Sequence, residues 1–233
     1  MSTRTESVTV EDGTFDLPIW LPESGRGPGL LLVQEIFGLG PYIREVAEDL
    51  AALGYVVAAP DLFWRLEPGY VAPAGEEGLT QAVEMSSRFE VETGVADLAA
   101  ALDHLAGLPE LSAGVGALGF CLGGTMAYLL AAKTTLGALV SFYGSGVPDS
   151  LNLLPDIGCP VQFHFGGSDP YIPREQVAMV EQAVAGLPNV EIHVQEDGGH
   201  AFHNRKSAMF HQPEPAARAW ALTETFLARH LPV

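Results

Sequence analysis

Six residues constrain this chain more than any others: Gly119-Phe120-Cys121-Leu122-Gly123-Gly124. An apolar run from Gly116 leads into them, and residues 125–133 lead out with small side chains in a helical pattern. Strand, sharp turn and helix together lift one side chain above a sheet. Glycines two before and two after Cys121 let the backbone turn tightly and pack closely. The residue presented in this way is usually Ser; here it is Cys. Ordinary strand-to-helix turns also contain Gly-x-Cys-x-Gly, so the stretch needs partners before it reads as a nucleophile.

The flanking chain supplies the setting. Val8 to Val10 and residues 15–22 alternate as an opening antiparallel hairpin turned at Glu11-Asp12-Gly13, with Pro18 suggesting an edge strand because proline removes a ladder donor. Residues 28–34 and 55–61 are near-continuous apolar runs, as expected of strands buried on both faces. Between them, residues 42–53 have helical spacing and close at Gly54. Residues 62–80 are irregular, and helical character is predicted for 81–108 with an irregularity at Gly94. Further strands are predicted at 137–144, 160–165 and 190–194, and helices at 173–185 and 213–230. Alternating apolar strands and helices predict an α/β fold, a mostly parallel central sheet with helices on both faces. At 233 residues, without repeats or a composition break, residues 1–233 are expected to form a single domain.

Charge and cysteine use narrow the function classes. The net charge of −18 argues against nucleic acid or an anionic membrane surface as partner. No apolar run approaches the ~18 residues of a membrane-spanning helix, and no apolar stretch marks a secretory leader. Two cysteines, Cys121 and Cys159, do not make a disulfide framework, so a reducing cytoplasm is the expected location.

In mostly parallel sheets ligands gather beyond the carboxyl ends of the strands. Four predicted strand ends carry reactive groups: Glu35, Cys121, Asp169 and His200. Nucleophile, acid, histidine is the chain order of an α/β-hydrolase triad. In that arrangement His200 withdraws the thiol proton and later protonates the leaving group, while Asp169 orients the imidazole. The backbone amides of Leu122 and of the loop containing Ile36 are the expected oxyanion donors. Each of these residues also has an ordinary structural reading: a buried thiol, a turn-initiating Asp before Pro170, a loop histidine. Cys159 falls at the other end of the sheet, His164 inside a strand, and His193 on a solvated face. His104, His203, His211 and His230 lack metal-ligand spacing, so no metal or organic cofactor is implied.

Taken together, Gln34-Glu35-Ile36-Phe37-Gly38, Ala59-Pro60-Asp61-Leu62, the stretch at Gly119 to Gly124, Tyr143-Gly144, Gly166-Gly167-Ser168-Asp169 and Gly199-His200-Ala201-Phe202 form a specific ordered set. On these residues the sequence resembles the dienelactone hydrolase family of α/β-hydrolases over nearly its whole length. The resemblance implies a triad of Cys121, Asp169 and His200, with oxyanion donors on the backbones of Ile36 and Leu122. It also implies that Glu35 keeps the resting cysteine as a thiol until substrate displaces it, since a neighbouring carboxylate opposes thiolate formation. Two departures stand out. The family holds its substrate carboxylate with two arginines; Leu79 and Asn204 occupy those positions here, with Arg88 and Arg205 as nearby substitutes. Leucine and asparagine cannot bind a carboxylate as a charged, bidentate pair. A more apolar pocket is therefore expected, with Phe37, Trp64, Leu79 and Tyr143 as lining residues. The expected reaction is hydrolysis of a small-molecule ester or lactone through an acyl-thioester. The alternatives are a non-hydrolytic relative that binds, cyclises or isomerises its ligand, or a redox-responsive thiol protein.

Overall fold

A computed structural model describes residues 2–233. Strands β1 (Ser2–Val10) and β2 (Gly13–Leu21) form an antiparallel hairpin whose register runs unbroken from Ser2 opposite Leu21 to Val10 opposite Gly13. The remaining strands are β3 (Gly27–Val33), β4 (Val56–Ala58), β5 (Leu111–Phe120), β6 (Leu139–Phe142), β7 (Val161–Gly166) and β8 (Val190–Gln195). All eight join one sheet in the order β1-β2-β4-β3-β5-β6-β7-β8. Every pairing from β4 to β8 is parallel, and the two involving β2 are antiparallel. The apolar runs are the buried ones: every residue of β3, β4, β6 and β7 is buried.

The α-helices among the described residues are α1 (Pro41–Ala52), α2 (Glu76–Ser87), α3 (Val91–Ala106), α4 (Leu122–Ala131), α5 (Arg174–Val184) and α6 (Pro213–His230), and all but α2 pack on the sheet. Strand alternation shows which helix lies on which face. Phe120, Phe142 and His164 are register partners and share a face. Tyr42 of α1 packs edge-on against Phe120, and Thr223 of α6 hydrogen-bonds His164, which places α1 and α6 on that face. Ser141 points the other way and donates to the Gly124 carbonyl of α4, which puts α4 on the opposite face. The core around Phe120, Phe142, Tyr143 and Phe202 is an aromatic cluster of fully buried rings. Burial of each such side chain stabilises the fold by about 1.5–3 kcal/mol. No helix among the described residues is long and apolar enough to cross a membrane.

Two local expectations are corrected. Pro18 lies on β2, which is flanked by β1 and β4 and is not an edge strand. Its carbonyl accepts from Ala59 N (3.1 Å) on the β4 side, where only Ile19 and Trp20 pair. The missing N–H therefore faces a side with almost no ladder to break. The second correction concerns the expected irregularity at Gly94, which sits inside α3; the break between α2 and α3 falls at residues 88–90. A Cβ at Gly94 would stand 2.2 Å from the ring of Phe89, so this glycine makes room for an aromatic ring from the break.

Candidate active site

Cys121 connects β5 to α4 with φ 53° and ψ −116°. A non-glycine residue pays about 1–3 kcal/mol for such backbone. The glycines around it are steric requirements. A Cβ at Gly119 would lie 2.1 Å from the Gly123 carbonyl oxygen, and one at Gly123 would lie 2.3 Å from that of Val33. The second contact presses the start of α4 against the end of β3, which brings the Glu35-Ile36 turn beside the elbow. The amides of Ile36 and Leu122 donate to no acceptor among the described residues.

Asp169 and His200 arrive from neighbouring strand ends. Ser168 N donates to Gly198 O (2.9 Å) and Gly167 N to Gln195 O (2.7 Å), tying the loop after β7 to the loop after β8. One Asp169 oxygen accepts from the amides of Tyr171 (2.8 Å) and Ile172 (3.1 Å), which aims the other at His200. That oxygen, Oδ2, accepts from Nδ1 of His200 at 2.7 Å, and Nε2 of His200 lies 3.1 Å from the Cys121 sulfur. Burial would lower the basicity of His200, but its hydrogen bonds to Asp169 and Cys121 outweigh that and hold its pKa up at about 10. Tyr143 and Tyr171 set their rings 5.3 and 5.0 Å from the imidazole. The three non-glycine residues with positive φ among the described residues are Cys121, Tyr143 and Ala201, all at or beside the Cys121–His200 pair.

Glu35 follows β3 and is 1% exposed. Its Oε1 accepts from Asn204 Nδ2 at 2.5 Å, while Oε2 is buried without a hydrogen-bond partner. Burial is the dominant influence and pushes this carboxyl up to about 8, against smaller opposing effects of His200 and Asn204. The resemblance implies a Glu35–Cys121 interaction; among the described hydrogen bonds, Cys121 engages His200 and Glu35 engages Asn204.

Beside Glu35 and Asn204 opens a cavity of about 400 Å³. Phe37, Ile43, Val71, Leu79, Met209 and Phe210 are among its apolar lining residues. Phe37, Leu79 and Asn204, three of the expected lining residues, line this cavity. Trp64 does not: its indole N–H donates to Asp97 (2.8 Å), and its ring packs on Phe15 and under Arg65, away from this cavity. Tyr143 is fully buried behind His200 and does not line the cavity either. Arg205 turns to Glu45 (2.9 Å) and Asp49 on α1, and Arg88 is exposed at the end of α2, so neither takes the place of a missing arginine in the wall. Lys206, Val71, Met209 and Phe210 line the cavity as well. No periodicity marks them, because they lie in irregular segments brought together only by contacts such as the Gly38–Val71 bridge. Cys159 is buried just before β7, at the other end of the sheet, and burial raises its thiol to about 11.

Comparison with known proteins places this geometry in a wider group. The profile of the dienelactone hydrolase family matches residues 15–231. A carboxymethylenebutenolidase from Pseudomonas sp. (strain P51) is 35% identical over 233 residues, covering 98% of this chain and 97% of the relative. The carboxymethylenebutenolidase of Pseudomonas putida is 33% identical over 208 residues, 88% of each chain. A crystal structure described as a candidate dienelactone hydrolase, from Klebsiella pneumoniae subsp. pneumoniae MGH 78578, superposes with a TM-score of 0.85 at 27% identity, covering 98% of both chains.

Proposed function

This chain belongs to the dienelactone hydrolase family, and on that premise we propose that it cleaves a small ester or lactone with Cys121 as nucleophile. It is a hydrolase of the α/β-hydrolase fold acting on lactone or ester substrates. The observation that carries the finer reading is the unbroken Cys121–His200–Asp169 hydrogen-bonded chain at a strained elbow.

In this reading Nε2 of His200 holds the proton taken from Cys121, in keeping with its raised pKa, and the sulfur bonds to the acyl carbon. The resulting oxyanion is held by the Ile36 and Leu122 amides, which donate to no acceptor among the described residues. Collapse breaks the acyl C–O bond, and the leaving alcohol takes the proton from His200. For a lactone that alcohol stays tethered to the acyl group. Water then attacks the thioester, giving its proton to His200, and the thiol leaves with that proton restored. Asp169 keeps Nδ1 as the protonated nitrogen, so that Nε2 is the working one.

The test is rapid-quench mass spectrometry with p-nitrophenyl acetate. An acyl adduct on the peptide containing Cys121, formed in a burst and lost at the turnover rate, is expected. Cys121→Ala is expected to lower kcat by at least about 1,000-fold, the scale on which triad nucleophiles matter. Full esterase activity in that variant overturns the mechanism. A stable adduct that water does not turn over points to the non-hydrolytic reading.

A further inference from the structure

We propose that Glu35 and Asn204 form an uncharged hydrogen-bonding subsite that selects neutral esters or lactones carrying a second acceptor group, in place of substrates bearing a carboxylate. The proposal rests on the hydrolase reading above and concerns what its cavity recognises.

The wall of the cavity is mainly apolar, and Glu35 and Asn204 place a buried polar pair in it. The pair has a fixed polarity. Asn204 Oδ1 accepts from the Lys206 amide at 3.0 Å, which turns its Nδ2 toward Glu35 Oε1. That leaves Oε2, a buried oxygen with no protein partner, as the free end of the pair. An ionised carboxylate whose single hydrogen bond is neutral is costly to bury, and the pull of His200 is smaller than that cost. The carboxylic acid form avoids that cost and converts Oε2 into a donor. A buried donor without an acceptor is itself unfavourable, so a substrate carbonyl or ether oxygen there completes the pair.

The surrounding charges point the same way. Tyr42 from α1 and Tyr143 from the loop after β6 are held protonated by burial, His200 lies on the triad side, and Cys121 is occupied by His200. The burial effect on Glu35 exceeds the pull of His200. Arg205 and Lys206 are drawn to the acidic side of α1, Arg205 to Glu45 and Asp49 and Lys206 to Glu45. A substrate carboxylate entering the cavity therefore meets the carboxyl of Glu35 without a free guanidinium.

Three p-nitrophenyl esters of equal reach separate the possibilities: methyl p-nitrophenyl glutarate, p-nitrophenyl pentanoate and mono-p-nitrophenyl glutarate. At pH 6.5 the methyl ester is expected to exceed the pentanoate in kcat/KM by roughly 5–10-fold, the scale of one net hydrogen bond. It is expected to exceed the acid by about 100-fold or more, the scale of a buried unpaired charge. Raising the pH to 9.5 ionises Glu35, so the methyl-ester to pentanoate ratio is expected to fall toward one. Ratios between probes cancel any pH dependence of the common chemical step. Glu35→Gln places an amide donor at the Oε2 position and is expected to make that ratio independent of pH. Asn204→Arg is expected to shift the preference toward the acid. Equal rates for methyl ester and pentanoate at pH 6.5 overturn the subsite, and an adduct on Cys121 with each probe then leaves the hydrolase reading standing. No adduct with any probe overturns both. A preference for the acid that disappears in Lys206→Met also overturns the subsite, by showing that Lys206 releases Glu45 to bind a carboxylate.

Discussion

Glu35 makes a prediction about stability that requires no substrate. Its carboxyl is pushed from 4.5 to about 8 in the folded chain, chiefly by burial. Below pH 4.5 it is protonated whether the chain is folded or unfolded and contributes no pH dependence. Between pH 4.5 and 8 the unfolded chain releases a proton that the folded chain retains, so stability falls as pH rises, and above 8 the loss levels off. At ~1.4 kcal/mol per pH unit, the 3.5 units between 4.5 and 8 correspond to about 5 kcal/mol. Glu35→Gln removes this dependence while keeping the Asn204 contact. The variant is expected to match the parent near pH 4.5 and to exceed it increasingly up to pH 8. For a chain of this size, with ~2–4 °C per kcal/mol, the gain in Tm at pH 9 is roughly 10–20 °C. Differential scanning calorimetry of both proteins from pH 5 to 9 is the assay. Other ionisations, such as Glu6 and Glu110 held low by Arg4 and, for Glu6, chiefly by His104, are common to both proteins and cancel in the difference. A difference in Tm that stays constant across that range refutes the argument, because it would mean that Glu35 is ionised in the folded chain at every pH.

Other consequences of the geometry are open to direct measurement. Asp169→Asn leaves the amides of Tyr171 and Ile172 with an acceptor but removes control of the His200 tautomer; kcat is expected to fall by about 10,000-fold, with little change in Tm. Gly123→Ala puts a methyl 2.3 Å from the Val33 oxygen and 2.4 Å from that of Gln34, both backbone atoms that cannot swing away. A loss of several kcal/mol is expected by chemical denaturation, with at least about 100-fold loss in kcat as the oxyanion donors separate. Trp64→Phe removes the hydrogen bond to Asp97. It is expected to cost about 1–2 kcal/mol in stability and leave KM for p-nitrophenyl esters unchanged, whereas a raised KM would return Trp64 to the substrate wall.

The strand ends that carry Glu35, Cys121, Asp169 and His200 were legible because each has a local signature. The apolar runs that become β3, β5, β6 and β7 bury both faces, and a parallel sheet requires that, so the carboxyl ends of those strands are identifiable before any contact is known. The cavity wall has no such signature. Val71 comes from a segment pinned to the Phe37 turn by the Ala72 N to Phe37 O hydrogen bond (3.0 Å), and Met209 and Phe210 come from the loop after His200. Neither contact has a periodicity. Trp64 misled for the same reason: an aromatic residue in a long loop has two surfaces to choose between, and Asp97 decides which. Arg205 misled differently. One residue past the expected position, it is captured by Glu45 and Asp49, acidic residues on a helix surface whose reach cannot be read from spacing.

The strained backbone ties these observations together. Cys121, Tyr143 and Ala201 adopt positive φ just beyond β5, just beyond β6 and beside His200. A residue without such support would relax, since each conformation costs about 1–3 kcal/mol. Here the sheet supplies the opposing constraint. Cys121 N donates to Phe142 O at 2.9 Å, and Tyr143 N donates to His164 O at 2.7 Å, so each turn is anchored to the adjacent parallel strand. The hydrogen-bond ladder that joins β5, β6 and β7 thus continues one step past the ends of β5 and β6, into the residues that present the sulfur and back the imidazole. A mutation that loosens the β6 register, such as Val140→Gly, is therefore expected to release strain at Cys121 before it unfolds the sheet. Its signature is loss of acyl-enzyme burst amplitude at temperatures well below Tm; a burst that persists up to the unfolding transition would show that the elbow holds its geometry without the neighbouring strand.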